Sequence, residues 1–197
     1  ANPIPRQVLD SPGCLPQAGD SRTLVMVLNG WIDLKNGTTA LRAFRLARRV
    51  DRRLRLVCFG ADYEAGGAAQ RWAQAQGCAE GVEFRGPTPH HVIMEQLRQS
   101  FALLHPSRLE ACSMSIGEAM SGGLPVVAGL RTGGVPWQLD EGRAGVLVDV
   151  EDAAAMADAV VALAREPQRW QAISHAARAR ARAQVAQGPI GARNRGI

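Results

Sequence analysis

Residues 101–129 read FALLHPSRLEACSMSIGEAMSGGLPVVAG. Residues 101–104 are an apolar run of strand length, followed by a loop of small and polar residues. A helix begins near Ser113 and takes in residues 115–120; after Gly122 and Gly123 a second apolar run, residues 125–128, makes the next strand. Strands that are apolar throughout, joined through a helix, belong in a parallel sheet covered on both faces, because a strand with one wet face would alternate.

The same alternation extends in both directions. Upstream, residues 24–28 are a strand, 38–49 a helix, 54–59 a strand stopped at Gly60, 68–76 a helix, 82–84 a strand and 90–99 a helix. Downstream, 145–148 is another strand, and helices over 153–165 and 167–184 close the pattern. With right-handed crossovers the fold class is α/β: a single doubly wound Rossmann-like domain with a parallel sheet of about six strands. Residues 1–22, with Pro3, Pro5, Pro12, Gly13, Pro16 and Gly19, are expected to be an extended lead-in; 23–186 are the folded domain and 187–197 a mobile tail. There is no internal repeat.

Composition excludes several classes. Of 197 residues, 46% are hydrophobic and 21% charged, which is ordinary for a globular chain and rules out wholesale disorder. The apolar runs are far too short to cross a bilayer of ~30 Å, and no segment resembles a secretion signal, so a cytoplasmic location is expected. The four cysteines (Cys14, Cys58, Cys78, Cys112) form no Cys-x-x-Cys pair and have no histidine at ligand spacing, so neither a disulfide framework nor a metal site is expected. Net charge is +5, carried almost wholly by arginine; Lys35 is the single lysine. Only 5% of residues are aromatic and none interleave with the arginines, so nucleic acid is not an expected partner. The run Arg42, Arg45, Arg48, Arg49, Arg52, Arg53, Arg55 reads as a charged helix face, or as a surface drawn to anionic lipid at the inner face of the membrane.

In a parallel doubly wound sheet, ligands sit at the carboxyl ends of the strands. The loop after residues 101–104 leads into a helix start, whose free N–H groups and positive dipole end suit a phosphate. Ala111, Cys112 and Ser113 are small enough to let an anion approach the main chain. Glu110 and Glu118 flank that seat, eight residues apart. Two carboxylates around a phosphate would repel it, so their fitting task is to accept hydrogen bonds from sugar hydroxyls. Such a combination describes a nucleotide-sugar site.

The segment resembles the E-x7-E motif of the group 1 (family 4) glycosyltransferases of the GT-B fold. The family's ordered series is matched by Pro106-Ser107-Arg108-Leu109-Glu110, Glu118-Ala119-Met120, Gly123-Leu124-Pro125-Val126-Val127 and Gly133-Gly134. Asn2-Pro3-Ile4, Val82-Glu83-Phe84-Arg85-Gly86 and Ala144-Gly145-Val146-Leu147-Val148 are similar to further family segments, so the resemblance spans roughly residues 1–185. It implies the C-terminal, donor-binding half of a retaining enzyme that needs no cofactor and no bound metal. The donor would be a nucleotide-diphosphate sugar of the UDP or GDP type. The acceptor, a glycan or lipid-linked molecule, would be held by an N-terminal domain, in bacterial polysaccharide or lipopolysaccharide synthesis. Carried over by position, Glu110 meets the donor sugar and Glu118 the ribose, and the main chain of Cys112, Ser113, Met114 and Ser115 holds the diphosphate. Lys35 neutralises the leaving diphosphate, and Arg85, Gly86 and Pro87 form the base pocket.

Two departures stand out. The arginine that the family pairs with the lysine falls on Gly30 or Trp31, leaving Gly30 as an uncharged member of the donor loop. Losing one of two cations costs on the order of 10²–10³ in rate, unless Arg108 or Arg131 takes its place. Trp137 stands where the family commonly has glutamate. The four histidines (His90, His91, His105, His175) are expected to be structural or solvated. These departures keep open a second function, a catalytically degenerate nucleotide-binding or interaction module. A dinucleotide-dependent oxidoreductase is excluded, since Asn29-Gly30-Trp31-Ile32-Asp33 lacks the Gly-x-Gly-x-x-Gly series.

Overall fold

The computed structural model describes residues 22–186. Six strands form one sheet: β1 (Arg22–Val27), β2 (Leu54–Phe59), β3 (Val82–Gly86), β4 (Ala102–His105), β5 (Val126–Gly129) and β6 (Val146–Val148). All five pairings are parallel and the order is β3-β2-β1-β4-β5-β6. Between them run α1 (Gly37–Val50), α2 (Ala68–Ala75), α3 (His90–Arg98), α4 (Met114–Ser121) and the single turn α5 (Val135–Gln138); α6 (Ala153–Arg165) and α7 (Pro167–Ala186) follow β6. The doubly wound Rossmann-like class is therefore the observed one.

Alternation along β1 divides the core. Leu24 and Met26 point to the layer of α1, α2 and α6, where they pack with Leu41, Phe44, Ala69, Met156 and Val160. Val25 points the other way, with Leu103, Val126, Met94, Ile116, Met120 and Ala177 beneath α3, α4 and α7. Because both faces are covered, the strands are apolar along most of their length, with Thr23 and Arg55 the polar second residues of the interior strands β1 and β2, which is why these strands read as hydrophobic runs. Local signals set the ends. The Asp152 side chain caps α6 by accepting from the N–H groups of Ala154 and Ala155. α6 ends at Arg165 with Glu166 as its C-cap, and Pro167 then starts α7.

The differences from expectation are small and physical. Arg22, counted with the lead-in, belongs to β1: it pairs with Leu54 and its guanidinium meets Asp51 at 2.6 Å. A 3-10 turn, Asp33–Lys35, and the helical turn α5 occupy stretches read as loop. Both are too short to show a helical period. Residues 1–21 and 187–197, with Asn2-Pro3-Ile4, Cys14 and the tail, lie outside the described residues. Among the described residues no helix is long and apolar enough to cross a membrane.

Candidate functional site

The sheet changes direction between β1 and β4, neighbours in space that are separated by β2 and β3 in the chain. At such a switch point the loops leaving the two strands splay apart and open a crevice at the carboxyl edge. Here those loops are 28–36 after β1 and 106–113 after β4.

The two loops are bonded to each other. The Arg108 N–H donates to the Leu34 carbonyl at 2.9 Å. Asn36, almost fully buried and left-handed at φ 54°, donates from Nδ2 to the carbonyls of Pro106 and Val150, so it joins the exits of β1, β4 and β6. Lys35, at the end of the 3-10 turn, reaches across to place Nζ 2.6 Å from Oε1 of Glu110. His105, buried at the end of β4, brings Nε2 to 3.6 Å from the same oxygen. His105, Lys35 and Ser107 together hold the Glu110 carboxyl down to about 2, against the upward push of burial. Glu110 is thus an ionised, acceptor-only group at any ordinary pH.

From the other side the loop after β5 clamps the same segment. Gly134 N–H donates to the Glu110 carbonyl at 2.8 Å, and Thr132 Oγ1 donates to the Ser107 carbonyl at 2.9 Å. A side chain at Gly133 would overlap the Glu110 carbonyl oxygen, and one at Gly134 the Ala111 carbonyl oxygen. The glycine pair is therefore required by a close approach of two backbones.

The front of α4 is partly occupied by the protein itself. Ser113 is the N-cap, its Oγ accepting from the Ile116 N–H and lying 3.0 Å from Ser115 Oγ. Gln138 of α5, also buried, accepts from the Ser113 N–H through Oε1 and donates through Nε2 to the Ser113 carbonyl. The Ser113 amide expected to face a diphosphate is thus already bonded. Met114 and Ser115, in the first turn, have N–H groups without a carbonyl four residues back in the helix. Cys112 and Met114 are exposed, Ser115 buried.

Other expected residues lie nearby in different company. Glu118, on α4 and 7% exposed, has its Oε1 2.7 Å from Nε2 of His90, the first residue of α3. Arg85 packs over the Phe59 ring and donates to Glu83. Gly86, at φ +66°, is held between the Gly60 N–H and the Tyr63 carbonyl, and Pro87 beside it is exposed. Gly30, at φ +93°, donates to the Ala61 carbonyl. Arg108 is engaged by Asp33 and, through two nitrogens, by Glu151; Arg131 pairs with Asp149. Both arginines are thus paired with carboxylates, as Lys35 is. Trp31 packs against Tyr63 and Trp72, and Trp137 lies under the Arg180 guanidinium. The partners that sequence reasoning passed over are His90, His105, Asn36 and Gln138; a lone polar side chain carries no spacing signal for a contact made across the fold. Among the described residues no group of three or more His, Cys, Asp or Glu side chains is placed to hold a metal ion.

Residues 21–166 match the family described as "Glycosyl transferases group 1". The chain belongs to the group 1 glycosyltransferases. The D-inositol 3-phosphate glycosyltransferase of Corynebacterium diphtheriae is 32% identical to it over 166 residues, covering 79% of this chain and 39% of that protein. A GDP-mannose-dependent α-(1-6)-phosphatidylinositol monomannoside mannosyltransferase of Mycolicibacterium smegmatis is 31% identical over 166 residues, 80% of this chain and 42% of that one. In three dimensions the chain is similar to a mutant of S. aureus TarM solved with fondaparinux, α-GlcNAc-glycerol and UDP: TM-score 0.70 and 16% identity, over 82% of this chain and 32% of TarM. At that identity the likeness shows the fold alone, the Rossmann-like half of a GT-B glycosyltransferase. This glycosyltransferase chain spans less than half the length of the curated relatives it matches, between 19% and 42% of each.

Proposed function

We propose that the chain is the donor-binding half of a retaining glycosyltransferase, taking a UDP or GDP sugar and delivering it to a glycan or lipid-linked acceptor held by a further domain. The observation that carries this reading is the Lys35–Glu110 pair at 2.6 Å, made by residues 75 positions apart, at the switch point and beside the front of α4. A cation and an ionised carboxylate in one crevice match the two halves of a sugar diphosphate. On donor entry Lys35 turns to the diphosphate, where its charge stabilises the leaving group, and Glu110 is freed to accept from sugar hydroxyls. The amides of Met114 and Ser115, with the dipole of α4, face the same anion. Glu118 serves the ribose, and the pinned turn at Arg85, Gly86 and Pro87 borders the base. The donor is the only small molecule the proposal requires, without cofactor or metal. The proposal extends to a role in bacterial polysaccharide or lipopolysaccharide synthesis, in the cytoplasm at the membrane's inner face; the lipid-linked kind of acceptor is supported by one relative whose name includes a phosphatidylinositol monomannoside. Calorimetric titration with UDP-sugars and GDP-sugars tests it: saturable binding supports the proposal, and no binding to either class overturns it.

One observation favours the second reading, a degenerate binding module. No arginine occupies the donor loop after β1, and both candidate substitutes, Arg108 and Arg131, are held by carboxylates. Donor binding without sugar transfer in the intact protein decides for that module.

A further inference from the structure

We propose that His90 is a positioning residue of the nucleotide site: it grips one oxygen of Glu118 and so fixes the plane in which that carboxylate is offered to the ribose. The inference rests on the reading of Glu118 as the ribose ligand. The Glu118 side chain is 9% exposed, and a carboxylate so placed needs a donor to offset its lost hydration. Nε2 of His90 supplies it at 2.7 Å, from α3, across 28 residues of chain. A carboxylate offers about four acceptor positions. One N–H uses one of them, stops rotation about the last side-chain bond, and leaves the remainder for a pair of neighbouring hydroxyls.

His90 is itself held from behind. It opens α3 directly after Pro89, whose carbonyl accepts from the N–H groups of Val92 and Ile93. Three residues earlier Gly86 is fastened to the exits of β2 by hydrogen bonds of 2.9 Å on both its N–H and its carbonyl. The turn proposed to border the base and the carboxylate proposed to hold the ribose are therefore parts of one bonded unit, joined through the imidazole. The ring is 59% exposed, so it adds little to the core, and its loss is expected to leave the fold intact. A change in preference between ribose and deoxyribose ligands, recovered by a side chain that restores the donor, separates a positioning role from a structural one.

The test measures binding of UDP and GDP, and of their 2′,3′-dideoxy forms, by calorimetry on the wild-type chain, His90→Ala, His90→Gln and Glu118→Ala, with melting temperatures alongside. The expected result is that wild type prefers the ribose form, that His90→Ala still folds but melts somewhat lower and loses about three- to tenfold of that preference, and that His90→Gln, which restores an N–H donor, recovers both. Full retention of the preference in His90→Ala, with Glu118→Ala abolishing it, overturns the role of His90 and leaves Glu118 standing. A wild-type chain that binds both forms equally, or a preference that Glu118→Ala leaves intact, overturns the reading of Glu118 and the inference with it.

Discussion

Glu110 has three neighbours set on lowering its pKa, and the consequence is a pH-dependent share of stability. Its folded value, about 2, lies below the ordinary 4.5. A lowered folded value means that the stabilisation is complete above 4.5 and is lost as the pH falls from there toward 2. At neutral pH the full shift corresponds to on the order of 3 kcal/mol, an upper bound because solvent that reaches the pair screens it. Urea denaturation of wild type and Glu110→Gln is expected to show wild type ahead at pH 7, with the gap closing between pH 4.5 and 2; a constant gap would rule out the ion pair as its source. Lys35→Ala is expected to weaken binding of UDP and GDP about tenfold or more while sparing uridine and guanosine, since the contact proposed for the amine is with the diphosphate. Equal loss for nucleosides and diphosphates in calorimetry speaks against a phosphate contact. At this scale the motif positions Glu110, Glu118 and Lys35 could be picked out from their order in the chain, and their proposed roles rest on the resemblance. Their partners could not, because a histidine such as His90 or His105 declares its neighbour only once two distant elements have met.

The elements around the site are fastened by contacts that no periodicity announces. α5 is a single turn, yet its Gln138 closes two hydrogen bonds on Ser113 and sets the N-terminal end of α4. The glycine pair 133–134 looks like an ordinary turn in sequence; in the fold it lies against the backbone of Glu110 and Ala111. Gly134→Ala is therefore expected to push the two loops apart, costing about 1–3 kcal/mol in urea denaturation and weakening donor binding at the same time. A variant as stable as wild type would show that the approach is not tight. The longer elements were readable within a residue or two. Residues 153–165 were expected as a helix and form α6 over the same span, where Asp152 and Pro167 mark the ends in the sequence itself.

Across the whole molecule, stability rests on a sheet sandwiched between two helical layers, and β4 lies near its middle. Leu103 is fully buried, and β4 pairs with β1 on one side and β5 on the other. Leu103→Ala is expected to cost about 2.7–5 kcal/mol, read as a lower urea midpoint with the slope unchanged. The arginine run shows the same dependence on context. Arg42 stacks on Trp72, Arg45 donates to the Gln76 carbonyl, Arg48 and Arg52 meet Glu80, and Arg53 meets Asp51. Much of that charge is spent within the domain, which reduces what a membrane surface could draw on.

What the amino-acid sequence determined alone is the alternation of elements, the parallel sheet and the family, because burial on both faces writes an apolar run into every strand and the motif series has an order of its own. What only the tertiary structure decided is who meets whom at the crevice: Lys35 with Glu110, His90 with Glu118, Gln138 with Ser113, and Arg108 turned to Asp33 and Glu151. The physical reason is range. Propensity and periodicity act within a turn or two of chain, whereas each of these contacts joins elements between 25 and 75 residues apart and exists only once the sheet has brought them together, Lys35 and Glu110 across the switch point between β1 and β4.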